Sequence, residues 1–99
     1  MSAGVTLYTT RFCPYCVRAR SLLDSKQVAY RDIAVDGEPA LRREMMQLSG
    51  RRTVPQIWIG EQHIGGFDDM LLLERQGRLD ELLAGVGAAP WPGKPREDG

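Results

Sequence analysis

The apolar pattern of the chain changes period between Thr9 and Pro14, and both of its cysteines stand at the change. Upstream, Val5-Thr6-Leu7-Tyr8-Thr9 is short, β-branched and aromatic, which predicts a strand. Downstream, Cys16, Ala19, Leu22 and Leu23 fall at i, i+3, i+6 and i+7, an apolar stripe that predicts a helix over 14–27. Pro14 suits the first helical position, where a missing N–H leaves nothing unsatisfied, so Cys13 becomes the expected N-cap. A strand that runs into a helix through such a cap commits the chain to a βα unit and puts a sulfur on the open end of the helix.

The pattern then repeats. Val28 to Val35, interrupted by Arg31 and Asp32, reads as a second strand beside the first. Asp36-Gly37-Glu38-Pro39 turns into a helix whose apolar face is Leu41, Met45 and Leu48 and whose end is marked by Gly50. Gln56-Ile57-Trp58-Ile59, the connection Gly60-Glu61 and Gln62-His63-Ile64 read as a hairpin. Beyond Gly65-Gly66 lie helices over 68–76, stopped by Gly77, and over 78–84, with Leu79, Leu82 and Leu83 inward. The expected order is β-α-β-α-β-β-α-α. A β-α-β unit requires a parallel pair through a right-handed crossover, and the hairpin is antiparallel, so an α/β chain with a four-stranded mixed sheet and helices on both faces follows.

Ninety-nine residues hold one core, and a chain this size buries between roughly 60 and 70% of its unfolded surface. The expected domain is 1–84. Residues 85–99, with Pro90-Trp91-Pro92 and most of the late glycines, read as a flexible tail in which Trp91 has a disordered end or a docking contact as its alternatives. A content of 42% hydrophobic and 26% charged residues is that of a globular protein, not a disordered one. No apolar run approaches the roughly 20 residues that span a bilayer, and the N-terminus has neither a basic nor an apolar leader region, so the expected place is the cytosol and no membrane partner is expected. Thirteen Lys and Arg balance thirteen Asp and Glu, which argues against a nucleic-acid partner. The balance is uneven locally: Arg11, Arg18 and Arg20 stand in one segment and Arg42, Arg43, Arg51 and Arg52 in another, expected on one face.

Two cysteines three positions apart make a poor staple, because so short a loop restrains little chain entropy. Zinc needs four ligands, and His63 is the only histidine, so no metal is expected. A redox pair remains. At the cap, Cys13 meets orphan N–H groups, the positive end of the helix dipole and nearby Arg11, all of which favour a thiolate, and this makes it the expected nucleophile. Cys16, in the first turn on the packed side, becomes the resolving thiol. In Thr53-Val54-Pro55 the proline fits a sheet edge or a cis peptide, and a cis bond turns the Val54 backbone outward to pair with an extended peptide. In Gly65-Gly66-Phe67-Asp68-Asp69, Asp68 is the expected cap; free N–H groups there suit a carboxylate and Asp68 or Asp69 suits an ammonium, a plain capped turn being the alternative. His63 reads as a surface strand residue.

Taken together, Cys13-Pro14-Tyr15-Cys16, Thr53-Val54-Pro55-Gln56 and Gly65-Gly66-Phe67-Asp68-Asp69 resemble a dithiol glutaredoxin over residues 4–84. The resemblance implies a thioredoxin-like fold and glutathione as co-substrate in the reduction of glutathionylated or disulfide-bonded proteins. It implies Cys13 as nucleophile, Cys16 as resolving thiol and a cis Pro55. It further implies a glutathione groove in which Tyr15 and Thr53 flank the tripeptide, the Val54 backbone pairs with its cysteinyl unit, and Gly66, Phe67 and Asp68 hold the γ-glutamyl end. Many relatives carry Lys where this chain has Thr10, leaving Arg11 as cation for the glycyl carboxylate, with Arg42 and Arg52 able to share it. Phe67 also occurs in relatives that donate electrons to ribonucleotide reductase, which adds that enzyme as a partner and a dedicated electron donor as an alternative function. A second alternative is an iron–sulfur carrier with Cys13 of two subunits and two glutathione thiols as ligands, which the stiff Pro14 disfavours. The expected state is a monomer.

Overall fold

Alternation along β1 (Val5–Thr9) sets the layers. Val5 and Leu7 enter one buried cluster with Ala19, Leu23, Ile57, Ile59, Met70, Leu79 and Leu83, while Tyr8, one residue out of phase, enters another with Val35 and Met45. These facts come from a computed structural model, which describes residues 4–85. The elements that follow β1 are α1 (Pro14–Ser25), β2 (Tyr30–Ala34), α2 (Pro39–Ser49), β3 (Gln56–Ile59), β4 (Gln62–Gly65), α3 (Phe67–Arg75) and α4 (Leu79–Gly85). The strand order is β2-β1-β3-β4, with β1 parallel to β2 and antiparallel to β3 and the β3–β4 hairpin antiparallel. Helices α1, α3 and α4 supply one cluster and α2 the other, so the expected mixed sheet with helices on both faces is the fold observed. Fully buried side chains such as Leu7, Leu23, Ile57 and Met70 contribute roughly 1.5–3 kcal/mol each by leaving water.

Two features of the helices depart from expectation. Leu48 does not join the apolar face of α2. It is 59% exposed, and Leu41, Met45 and Met46 do the packing instead. Leu48 borders a shallow, open groove lined by Thr6, Tyr8, Arg31, Trp58 and Glu61. The α1 helix closes at Ser25, two residues early: Lys26 is the C-cap, its ammonium held by Glu74 and Asp80 at 2.8 and 2.9 Å, and Gln27 turns the chain away with φ of 58°. Gly50 ends α2 as expected. Its φ of 73° is left-handed, and its N–H reaches the Met46 carbonyl at 2.8 Å.

Gly85, assigned above to the tail, closes α4, and the rest of that segment, Trp91 included, lies outside the described residues. No described helix is long and apolar enough to cross a membrane.

Candidate active site

The Cys13 backbone is extended, with φ −107° and ψ 113°, as an N-cap requires, and Pro14 occupies the first turn behind it. That conformation folds the sulfur back over the helix end. Cys13 Sγ accepts the Cys16 N–H at 3.2 Å, satisfying one orphan donor, and its thiol donates to the Val54 carbonyl at 3.7 Å. Cys16 has no exposed surface, and burial, seconded by its hydrogen bond with Cys13, pushes its thiol up to about 12. The two sulfurs are therefore unlike: one caps a helix within reach of solvent, the other is a buried thiol at neutral pH. Arg20, whose charge acts on Cys16, is paired with Asp32 at 2.7 Å, and Thr9 Oγ1 donates to the same carboxylate at 2.6 Å.

The Val54–Pro55 peptide is cis. It brings the Val54 carbonyl to Cys13 and leaves Pro55 buried against the Gly65–Gly66 turn, where a Cβ built on Gly66 would lie 3.5 Å from the Pro55 carbonyl. Three stretches far apart in sequence thus meet at the end of α1. The turn is capped differently from expectation. Because α3 begins at Phe67, Gly66 is the N-cap and Asp69, three residues on, reaches back to accept the Gly66 N–H at 2.9 Å. Asp68 is left exposed. The Gly66 N–H, and then Arg51 at 3.1 Å, hold the Asp69 carboxyl below its usual range, so it is ionised at neutral pH.

Gly65 in this turn has φ of 115°, and a Cβ there would run into the Asp69 carboxylate, whose Cγ would lie at 2.8 Å. Gly65→Ala should therefore displace Asp69 from its capping bond as well as strain the backbone. A loss of about 2 kcal/mol is expected, or roughly 10 °C in Tm by thermal unfolding; a Tm within 2 °C of the parent would mean that the turn tolerates a side chain.

The remaining site residues divide. Tyr15 is 51% exposed beside the thiols, with the Arg18 guanidinium 5.6 Å from its ring centre. Phe67 turns its ring onto the main core cluster, and Thr53 is exposed in the loop before Val54. Arg11 binds Asp36 through its backbone N–H and its Nε, both at 3.3 Å. Arg42 donates to the Arg52 carbonyl. The cation paired with a carboxylate of the Gly65–Asp69 turn is Arg51. Sequence reasoning also passed over Phe12, 91% exposed, and Val17, 54% exposed, which flank the thiol end with apolar surface; an apolar residue set against a helix cap was the available sign.

His63 is not a plain surface residue. It is half-buried, its ring centre 4.7 Å from that of Trp58, and its Nε2 lies 2.8 Å from Gln56 Oε1. Gln56 is fully buried, and its Nε2 donates to the Thr53 carbonyl at 3.0 Å and to Thr53 Oγ1 at 3.2 Å. Burial first, and Arg51 next, hold the His63 imidazole below its ordinary range.

Known proteins share this arrangement of sequence. The family model described as Glutaredoxin matches residues 5–64. A glutaredoxin of Pseudomonas aeruginosa is 56% identical over 80 residues, which is 81% of this chain and 95% of that protein. Glutaredoxin 3 of Escherichia coli K12 is 53% identical over 81 residues, 82% of this chain and 98% of its own length. Among solved structures, a buckwheat glutaredoxin–glutathione complex superposes with a TM-score of 0.80 at 34% identity, covering 85% of this chain and 79% of that one. The thiol cap and the cis-proline loop lie within the matched residues 5–64, and the chain belongs to the glutaredoxin family of thiol–disulfide oxidoreductases, with its thioredoxin-like fold.

Proposed function

We propose that the protein reduces protein–glutathione mixed disulfides and protein disulfides with glutathione as the electron donor. The observation that carries this reading is the inequality of the two thiols: Cys13 at an open helix end beside the Val54 carbonyl, Cys16 buried behind it. The buckwheat relative is a glutathione complex, which supports the choice of donor. Cys13 thiolate attacks the mixed disulfide in line; a bond forms between Cys13 Sγ and the glutathione sulfur, and the protein thiolate leaves and takes up a proton. A second glutathione thiolate then attacks the sulfur bound to Cys13, releasing glutathione disulfide and restoring Cys13. The sum is one mixed disulfide and one glutathione converted to one protein thiol and one glutathione disulfide.

With a protein disulfide as substrate, Cys16 closes the internal bridge instead. Its thiol is held protonated by burial and, next, by Cys13. Once Cys13 enters a mixed disulfide its hydrogen bond and charge no longer oppose ionisation of Cys16, although burial, the larger cause, persists. On this reading Tyr15, Thr53 and the Val54 backbone line the groove, and Gly66, Phe67 and Asp68 receive the γ-glutamyl end, the N–H groups coming from Phe67 and Asp68 and the carboxylate from Asp68, since the Gly66 N–H is held by Asp69. Arg11, although tied to Asp36, keeps its side chain 74% exposed and available to the glycyl carboxylate. The domain 1–84 holds every residue the reading uses; the protein works as a monomer in the reducing cytoplasm, with disulfide-bonded proteins, ribonucleotide reductase among them, as partners.

The test is steady-state reduction of a small glutathione mixed disulfide with glutathione, glutathione reductase and NADPH as the electron source. Saturable NADPH consumption is expected. No consumption, with rapid reduction by thioredoxin reductase instead, would replace glutathione as donor.

A further inference from the structure

A fully buried amide must place both its ends, and Gln56 does so in a way that fixes a hydrogen. The Thr53 carbonyl can only accept, so the Gln56 nitrogen faces Thr53 and its oxygen faces His63, which obliges His63 Nε2 to carry a proton and donate. Both the neutral Nε2–H tautomer and the cation satisfy this. The imidazole is in turn held by its stack on Trp58, whose ring meets Tyr8 edge-on at 5.4 Å. Among the described residues Gln56 supplies the only side chain hydrogen-bonded to Thr53, and the next residue is Val54, whose carbonyl lies against the Cys13 sulfur. A line of contacts therefore runs from β4 through the buried sheet to the thiol: His63, Gln56, Thr53, Val54, Cys13.

We propose that His63 is a positioning residue for the thiol site. Acting through Gln56, it holds the Thr53–Val54 backbone at the spacing from Cys13 at which an incoming disulfide is received. Loss of the Nε2–H donor leaves Gln56 Oε1 buried without a partner, and the amide recovers a bond only by turning away from Thr53. The loop then loses its side-chain anchor while the core is unchanged. The choice of substrate in the test rests on the glutathione reading above; the strut itself does not.

Three variants separate the roles of ring and donor. H63F keeps a ring against Trp58 and removes the donor; H63Q offers an N–H at similar reach; H63N falls short of Gln56 and stands in for H63F should that variant not fold. With the mixed disulfide of glutathione and 2-mercaptoethanol, H63F or H63N should raise KM about fivefold with kcat within about twofold of the parent, and H63Q should recover most of the loss. Amide spectra of the reduced protein, which need no substrate, should show Thr53 and Val54 displaced in H63F and near their parental positions in H63Q. An unchanged KM, a loss that H63Q fails to recover, or Thr53 and Val54 amides that stay in place would each overturn the proposal. If the parent itself did not turn over the glutathione substrate, the glutathione reading would fall while the spectra still decided the strut.

Discussion

Cys13→Ser is expected to remove turnover on every disulfide substrate, by a factor on the order of 10³ or more. The reaction needs an anionic sulfur that forms a bond to another sulfur and leaves it again, and a serine hydroxyl is neither ionised at neutral pH nor able to form the exchangeable bond. The fold should not suffer. Serine is a better N-cap than cysteine, and its oxygen can accept the Cys16 N–H that the sulfur accepts at 3.2 Å. Thermal unfolding within about 2 °C of the parent, with the assay silent, is therefore the expected pair of results. More than a few per cent of parental turnover would place the nucleophile elsewhere.

Cys16→Ser should split the two substrate classes. On the proposed mechanism deglutathionylation uses only Cys13 and a second glutathione, so its rate should stay within about fivefold of the parent. Reduction of a protein disulfide depends on a thiol held next to the mixed disulfide, and replacing that intramolecular step by an encounter with free thiol should cost about 10²-fold or more. The stalled species, client protein joined to Cys13, should accumulate and be visible by intact mass. Because Cys16 is wholly buried, the substitution places a hydroxyl where a weakly polar thiol sat, and a stability loss of about 1 kcal/mol accompanies the kinetic effect. Equal losses on both substrates would end the division of labour between the thiols.

Much of the architecture was legible because its signals are local. The strand before Cys13, Pro14 at the start of α1, Gly50 at the end of α2 and the Gly60-Glu61 connection each depend on a few neighbouring residues, and each appears where the sequence places it. What escaped depends on partners distant in the chain. Leu48 obeys helical spacing, yet it is left exposed at the rim of a shallow groove that only the folded sheet creates. The cap of α3 is Gly66 rather than Asp68 because the helix starts one residue early, and a single residue decides that the Asp69 carboxylate faces the Gly66 N–H. Arg11 finds Asp36, and His63 finds Gln56 on the neighbouring strand. Neither pairing leaves a mark in spacing, since side-chain contacts between elements follow from the completed sheet.

The place of β1 at the centre of that sheet has a consequence for the chain while it is being made. Val5 pairs with Tyr30 on one side and with Ile59 on the other, and the loop that meets Cys13 follows α2. On the ribosome, at roughly 5–20 residues per second, both cysteines are translated some seconds before Val54, and before the Gly65–Asp69 turn. The nascent polypeptide thus carries both thiols ahead of the Val54 carbonyl that faces Cys13, and the core cluster that Ala19 and Leu23 of α1 join closes only when Ile57 of β3 and Met70 of α3 arrive. For that interval the chain is itself exposed to oxidation, and depends on reductant supplied by its surroundings.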